Sequence, residues 1–173
     1  MRLLIIFMIL FSGAAQAIPV TWTLQDVVFD DGGSASGFFI YDADLDLYSS
    51  VNITTTSGSD LSGESYLYPK GVFAGPFSLV ATAQDVPDLT GVASIALFYN
   101  PGVLTNSGGT RSLVEGSSRE SFCADPDCNI GVGEPNSRDI IAGSISAVPV
   151  PAAVWLFGSA LAGLGWLRRK QIV

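Results

Sequence analysis

The last twenty-six residues, Val148 to Val173, withdraw themselves from any globular core and so set what the rest of the chain can fold into. From Ala152 to Leu167 there is no charged residue and one hydroxyl, Ser159. As a helix rising about 1.5 Å per residue, this run is roughly 24 Å long. Counted from Val148 it has twenty residues, about the number a ~30 Å hydrocarbon layer requires. Pro151 suits a first helical turn, where its missing N–H costs nothing. Trp155 and Trp166 fall near the two ends, where indoles favour the membrane interface. Arg168, Arg169 and Lys170 follow, and basic residues there keep the C-terminus cytoplasmic and everything before it outside. The expectation is a tail over residues 148–173 that contains a C-terminal transmembrane helix and ends in the basic residues.

The other end is also set apart. Met1-Arg2 is a minimal basic start, residues 3–11 are unbroken apolar, and Ala15-Gln16-Ala17 is an A-x-A site. This is the pattern of a secretory signal peptide, residues 1–17, helical but too short to span a bilayer. It implies signal peptidase and the secretion machinery as partners, with cleavage before Ile18 guided by Ala15 and Ala17. What remains, residues 18–147, is about 130 residues, the size of one domain.

That body is strongly acidic. It holds all sixteen acidic residues but only four of the eight basic ones, Lys70, Arg111, Arg119 and Arg138, a net charge of −12 against −8 for the whole chain. Such a charge repels phosphate backbones, which excludes a nucleic acid partner.

Within the body the pattern is that of strands and turns. Val20, Trp22 and Leu24 alternate with polar partners across 20–29, a half-buried strand. Asp30-Asp31-Gly32-Gly33 is a hairpin turn. Further strands are expected over 34–41, 48–56, 77–83, 92–99, 111–114 and 139–146, with an aromatic-rich stretch over 65–73 broken by Pro69. Tyr48, Val51 and Ile53 alternate imperfectly. Asp42 to Asp46, the Gly/Ser run 57–63, Asn100-Pro101-Gly102 and Asn106 to Gly109 read as turns. No segment has a long 3.6-residue period. The expected fold is all-β, a single β-sandwich-like domain between the two terminal helices.

Chemistry is sparse. There is no histidine, so a Ser-His-Asp triad is impossible, and no paired acid stands out for glycoside cleavage. No catalytic residue and no cofactor is assigned. Cys123 and Cys128, in C-A-D-P-D-C, are the only cysteines. In an exported protein they are expected to form a disulfide, fixing a tight local turn. Asp42, Asp44 and Asp46 open like a calcium loop, but Leu47 stands where the sixth-position glycine belongs and Ile53 where the twelfth-position acid belongs. They are the weak calcium candidate, with Asp30 and Asp31 as further ligands if the loops meet; the alternative is an ordinary acidic turn. Asn52-Ile53-Thr54 fits the glycosylation triplet, against the plainer reading of polar residues facing solvent on a strand. Trp22, Tyr66 and Tyr68 serve either as exposed sugar-stacking rings or as core.

The tail resembles the PEP-CTERM family of bacterial sorting signals in its VPLPA-type variant. Val148, Pro149, Val150, Pro151 and Ala152 stand for V-P-L-P-A, followed by Trp155-Leu156-Phe157-Gly158, the apolar run and Arg168-Arg169-Lys170. No Pro-Glu-Pro is present, and Val150 stands where the common form has glutamate. The resemblance implies a substrate of exosortase, a membrane cysteine protease/transpeptidase, in bacteria that make exopolysaccharide and biofilm. The expectation is therefore a non-enzymatic protein, exported, held at the inner membrane by its tail, then processed and passed to the cell surface or extracellular matrix, with exopolysaccharide as a further partner. The alternative is a secreted carbohydrate- or calcium-binding β-sandwich module.

Overall fold

The computed structural model describes residues 18–70, 75–100, 102–128 and 136–147. The signal-peptide segment and the sorting tail, with Ala15, Ala17, Val148 to Ala152 and Arg168 to Lys170, lie outside the described residues. Ten strands are described: β1 Val20–Phe29, β2 Ser34–Asp42, β3 Leu47–Thr55, β4 Ser65–Tyr66, β5 Tyr68–Pro69, β6 Ser78–Thr82, β7 Ala93–Asn100, β8 Gly109–Leu113, β9 Arg119–Phe122 and β10 Ser137–Ala147. No helix occurs among the described residues. The all-β expectation holds, and β9 is the strand that periodicity did not reveal.

All pairings are antiparallel. The hydrogen-bonded order is β4-β3-β2-β1-β10-β8-β7-β6-β5, with β9 pairing both β10 and β7. β8 and β9 share one lane between β10 and β7: β10 pairs β9 through Ser137, Arg138 and Asp139, and β8 through Ser144 to Ala147. The two ends of the order then meet in one short segment. β4 pairs β3 through Tyr66 and Ile53, and one residue later β5 pairs β6 through Tyr68 and Thr82. Leu67 and Lys70 add backbone bonds to Thr82 and Val80. The two faces expected of a sandwich are thus opposing walls of one continuous sheet, closed as a barrel around the main core.

The imperfect alternation has a physical cause. In β1, Val20, Trp22 and Leu24 point inward, then Asp26 adopts a left-handed conformation (φ 51°) and the phase slips, so that Val27 and Phe29 point inward instead. Asp tolerates that conformation better than most residues. In β3, Ser50 (φ 47°) makes the same one-residue slip between Tyr48 and Val51. Both are bulges, which bend and twist a strand and let a wide sheet fold over. Opposite the first bulge, Gly143 (φ +139°) passes so close to β1 that a Cβ there would meet Val27 Cα at 2.8 Å.

The core is contributed by both walls and includes Trp22, Phe39, Ile53, Tyr66, Leu79, Ile95, Leu97, Ile140 and Ile145. A smaller cluster of Leu89, Val92, Cys123 and Cys128 sits under the loop before β7. Replacing Gly143 by Ala is expected to cost about 1–3 kcal/mol through strain and crowding, read as a lower urea midpoint with an unchanged slope.

Candidate functional site

Of the chemistry weighed from the sequence, the disulfide forms, while the calcium ligands and two of the three sugar-stacking rings do not assemble into a site. Asp42 and Asp46 are occupied within their own turn: Asp42 Oδ1 accepts the backbone N–H of Asp44 at 2.9 Å and of Leu45 at 3.2 Å, and Tyr41 donates its hydroxyl to Asp46 Oδ1 at 2.6 Å. The other proposed ligands are remote, since Asp30 and Asp31 follow the far end of β1 while the Asp42 turn sits beside its start. Among the described residues no group of three acidic or thiol side chains is arranged to hold a metal ion. Trp22 and Tyr66 are fully buried, so the stacking role fails for both; only Tyr68 is exposed, at 40%. Asn52 and Thr54 face solvent on β3, on either side of the buried Ile53. Cys123 and Cys128 are bonded to each other. Cys128 N–H donates to Asp125 O, closing the turn, while Gly91 N–H donates to Cys123 O and ties the loop before β7 to it.

What the barrel does contain is a buried charge cluster that the sequence reading passed over. Arg138, on β10, is directly opposite Glu120 on β9. Both point inward, and neither Arg138 nor Asp31 exposes its side chain. Nε of Arg138 donates to Glu120 Oε2 at 2.8 Å, and Nη2 lies 2.6 Å from the same oxygen. Nη1 donates to both oxygens of Asp31, at 3.0 and 3.2 Å, and Nη2 also reaches Thr56 O at 2.9 Å. The guanidinium carbon stands 4.2 Å from the Phe29 ring centroid, a favourable cation–π placement. Tyr66 and Thr55 donate their hydroxyls to Glu120 Oε1. The five N–H donors of an arginine are thus directed at β9, at the β1–β2 turn and at the end of β3.

The surroundings leave the cluster no slack. A Cβ on Gly33 would lie 2.2 Å from Arg138 Nη1, and one on Gly58 would lie 2.2 Å from the Asp31 carboxylate. Burial pushes the Asp31 carboxyl upward, but the Gly33 N–H and Arg138 outweigh it and hold the carboxyl below its ordinary value. Burial, then the charge of Glu120, pushes the Tyr66 hydroxyl far above the usual phenol range. Chemically the cluster is self-satisfied: it binds elements together and presents no open donor to a substrate. Its signal was present in the sequence, because Arg138 and Ile140 share one face at period two and Ile140 is core.

The opposite end of the barrel is aromatic. Phe39 packs on Tyr48 and Tyr99, with Tyr41 at 4.6 Å between centroids from Tyr48. Tyr48 donates to Gly75 O at 2.8 Å, and Asn106 Oδ1 accepts the Ala43 N–H at 3.0 Å. On the outer surface, a shallow groove of about 410 Å³ is lined by Thr54, Thr55, Gly63, Glu64, Ser65 and Leu67, among others.

Replacing Arg138 by Met leaves two buried carboxylates unpaired and is expected to cost about 3–5 kcal/mol in urea unfolding. The pH dependence of the cluster follows from its carboxyl and its phenol. Asp31, depressed in the fold, contributes stability above the unfolded value of about 3.9 that is lost as pH falls through its lower folded value. Tyr66, raised in the fold, contributes stability that is present below about pH 10 and lost above it. The urea midpoint is expected to be flat between about pH 5 and 9 and to fall on both sides.

Residues 147–170 match the family model of the PEP-CTERM protein-sorting motif. No curated protein and no solved structure matches the chain.

Proposed function

We propose that this chain, which carries a PEP-CTERM sorting motif, is an exported, non-enzymatic surface protein whose barrel is the passenger and whose tail is the address. The motif implies an exported, surface-directed protein with an exosortase as its processing partner. The observation that carries the reading is an adjacency: the match begins at residue 147, and Ala147 is the last residue of β10. Folded domain and sorting signal abut, with no linker between them. In this reading signal peptidase cuts before Ile18, the apolar run holds the chain in the membrane, and Arg168, Arg169 and Lys170 set its orientation. The exosortase then engages Val148 to Pro151, and the barrel passes to the cell surface or to an exopolysaccharide-containing matrix. A net charge of −12 on the body suits a soluble, self-repelling passenger.

The test is the intact mass of the mature protein from its host and from the same host lacking the exosortase. Loss of residues 1–17 in both strains, and of everything after about residue 151 only when the enzyme is present, is the expected result. A mass that retains the tail in both strains rejects processing.

A second reading, a carbohydrate-binding module, rests on the groove beside Thr54 and Glu64 and on exposed Leu67 and Tyr68 next to it. Calorimetry of the body with the host polysaccharide and with calcium separates the two readings. The passenger reading expects no heat from either; saturable heat from the polysaccharide establishes the module.

A further inference from the structure

Antiparallel pairing puts particular segments at one end of the barrel. Thr23 pairs with Ser146, so the start of β1 lies beside the end of β10. Val20 pairs with Tyr41, Ala147 with Gly109 and Ser78 with Phe98. The end from which Ala147 departs therefore also carries Ile18, the 43–46 turn, residues 75–77 and residues 102–108. These loops are tied to one another: Ala43 N–H donates to Asn106 Oδ1, Tyr48 hydroxyl to Gly75 O, and Leu104 N–H to Pro76 O.

This end exposes a group of large apolar side chains beside the Asp42 to Asp46 turn. The four most exposed large hydrophobic side chains among the described residues are Leu45 (70%), Phe77 (58%), Leu47 (56%) and Ile18 (54%), and all four sit here, with Val103 beside them. Apolar groups grouped on loop tips mark a contact surface more than scattered ones do. The charged residues are distributed the other way. Asp30, Asp60 and Glu64 lie on or beside strand ends and turns at the opposite end, where Arg119 pairs with Asp139, and Asp31 and Glu120 are buried against Arg138. The near end holds Asp42, Asp44 and Asp46, with Arg111 in the neighbouring strand. Asp42 and Asp46 accept hydrogen bonds inside their turn, and Arg111 donates to Thr110 O and Val103 O.

We propose that this end of the barrel is a bilayer-docking surface, seated on the headgroup layer through Leu45, Leu47, Phe77 and Ile18. The proposal rests on the reading of the tail as a membrane-held sorting signal. Reach is what selects the bilayer as the occupant. Between Ala147 and Ala152 stand Val148, Pro149, Val150 and Pro151, five Cα-to-Cα steps that span at most about 18 Å even with all four residues outside the hydrocarbon layer. The headgroup layer on one side of a bilayer takes roughly 5–8 Å of that. At full extension the apolar loop tips stay within about 10–13 Å of the headgroup surface, and they are drawn against it when the four residues enter the twenty-residue span, while the more acidic end points away. Three aspartates at the contact favour zwitterionic over anionic lipid.

The test uses the chain after signal-peptide removal, residues 18–173, in phosphatidylcholine vesicles, with a nitroxide attached through Leu45→Cys or, at the far end, Asp60→Cys. The native cysteines are bonded to each other and do not compete for the label, and both positions are exposed turn residues outside the core. Alkaline-resistant co-sedimentation reports the tail, and collision of the label with oxygen or with a water-soluble nickel complex reports docking. The expected result is a sedimenting chain whose label at position 45 favours oxygen while that at position 60 favours nickel. A chain that does not sediment removes the tail reading and this proposal with it. A sedimenting chain whose position 45 is as open to nickel as position 60 overturns docking alone. Shielding of position 45 only in membranes that contain the exosortase assigns the surface to that enzyme and overturns the bilayer as its occupant.

Discussion

One guanidinium holds the far end of this barrel together. Arg138 joins β10 to Glu120 of β9, to Asp31 in the β1–β2 turn and to the carbonyl of Thr56 beyond β3, four segments scattered across the sequence. Burying such a cluster is not in itself stabilising, because each ion loses its water; well-packed apolar residues in its place are often as stable or more so. Its consequence is specificity. A one-residue slip of β10 would turn Arg138 outward and leave Glu120 and Asp31 buried with no cation. Among the possible closures of the sheet, the cluster tolerates one.

With the far end fastened by charge, the near end is free to serve the chain termini. The long first and last strands lie side by side at the middle of the sheet, so both ends of the body leave at the aromatic end. Tyr41, Tyr48 and Tyr99 close the core there without a buried cation, Tyr41 donating to the Asp46 carboxylate at the rim, and burial pushes all three hydroxyls above their ordinary value. They remain neutral donors and acceptors. The barrel thereby has a polarity along its axis, charge buried at one end and chain ends with exposed apolar tips at the other. A passenger whose sorting motif starts at the final strand residue is suited by that arrangement.

Much of the fold was legible because strand patterning is local. The Asp30 to Gly33 hairpin, the Asp42 to Asp46 turn and most strand positions were set by residues next to one another. Two kinds of feature were not. The bulges at Asp26 and Ser50 depend on which neighbour the strand pairs with, so a clean period-two pattern broke without showing why. The charge cluster depends on contacts across 18 and 107 residues of chain, and Glu120 lies in β9, a four-residue strand too short to show alternation. Trp22 and Tyr66 were ambiguous between ligand platform and core for a related reason: a single sequence does not tell which face of a strand is covered. The sorting motif, by contrast, was readable outright, because its parts are contiguous and act in order along the chain.

The far end closes through coupled buried charges and not through apolar packing alone. A double-mutant cycle on Arg138→Met and Glu120→Gln, read by urea unfolding at pH 7, tests it most directly. The expected coupling energy is about 2 kcal/mol or more, near the upper part of the range for contacting residues, with the double variant recovering part of what each single variant loses. Losses that add to within about 0.5 kcal/mol would contradict it.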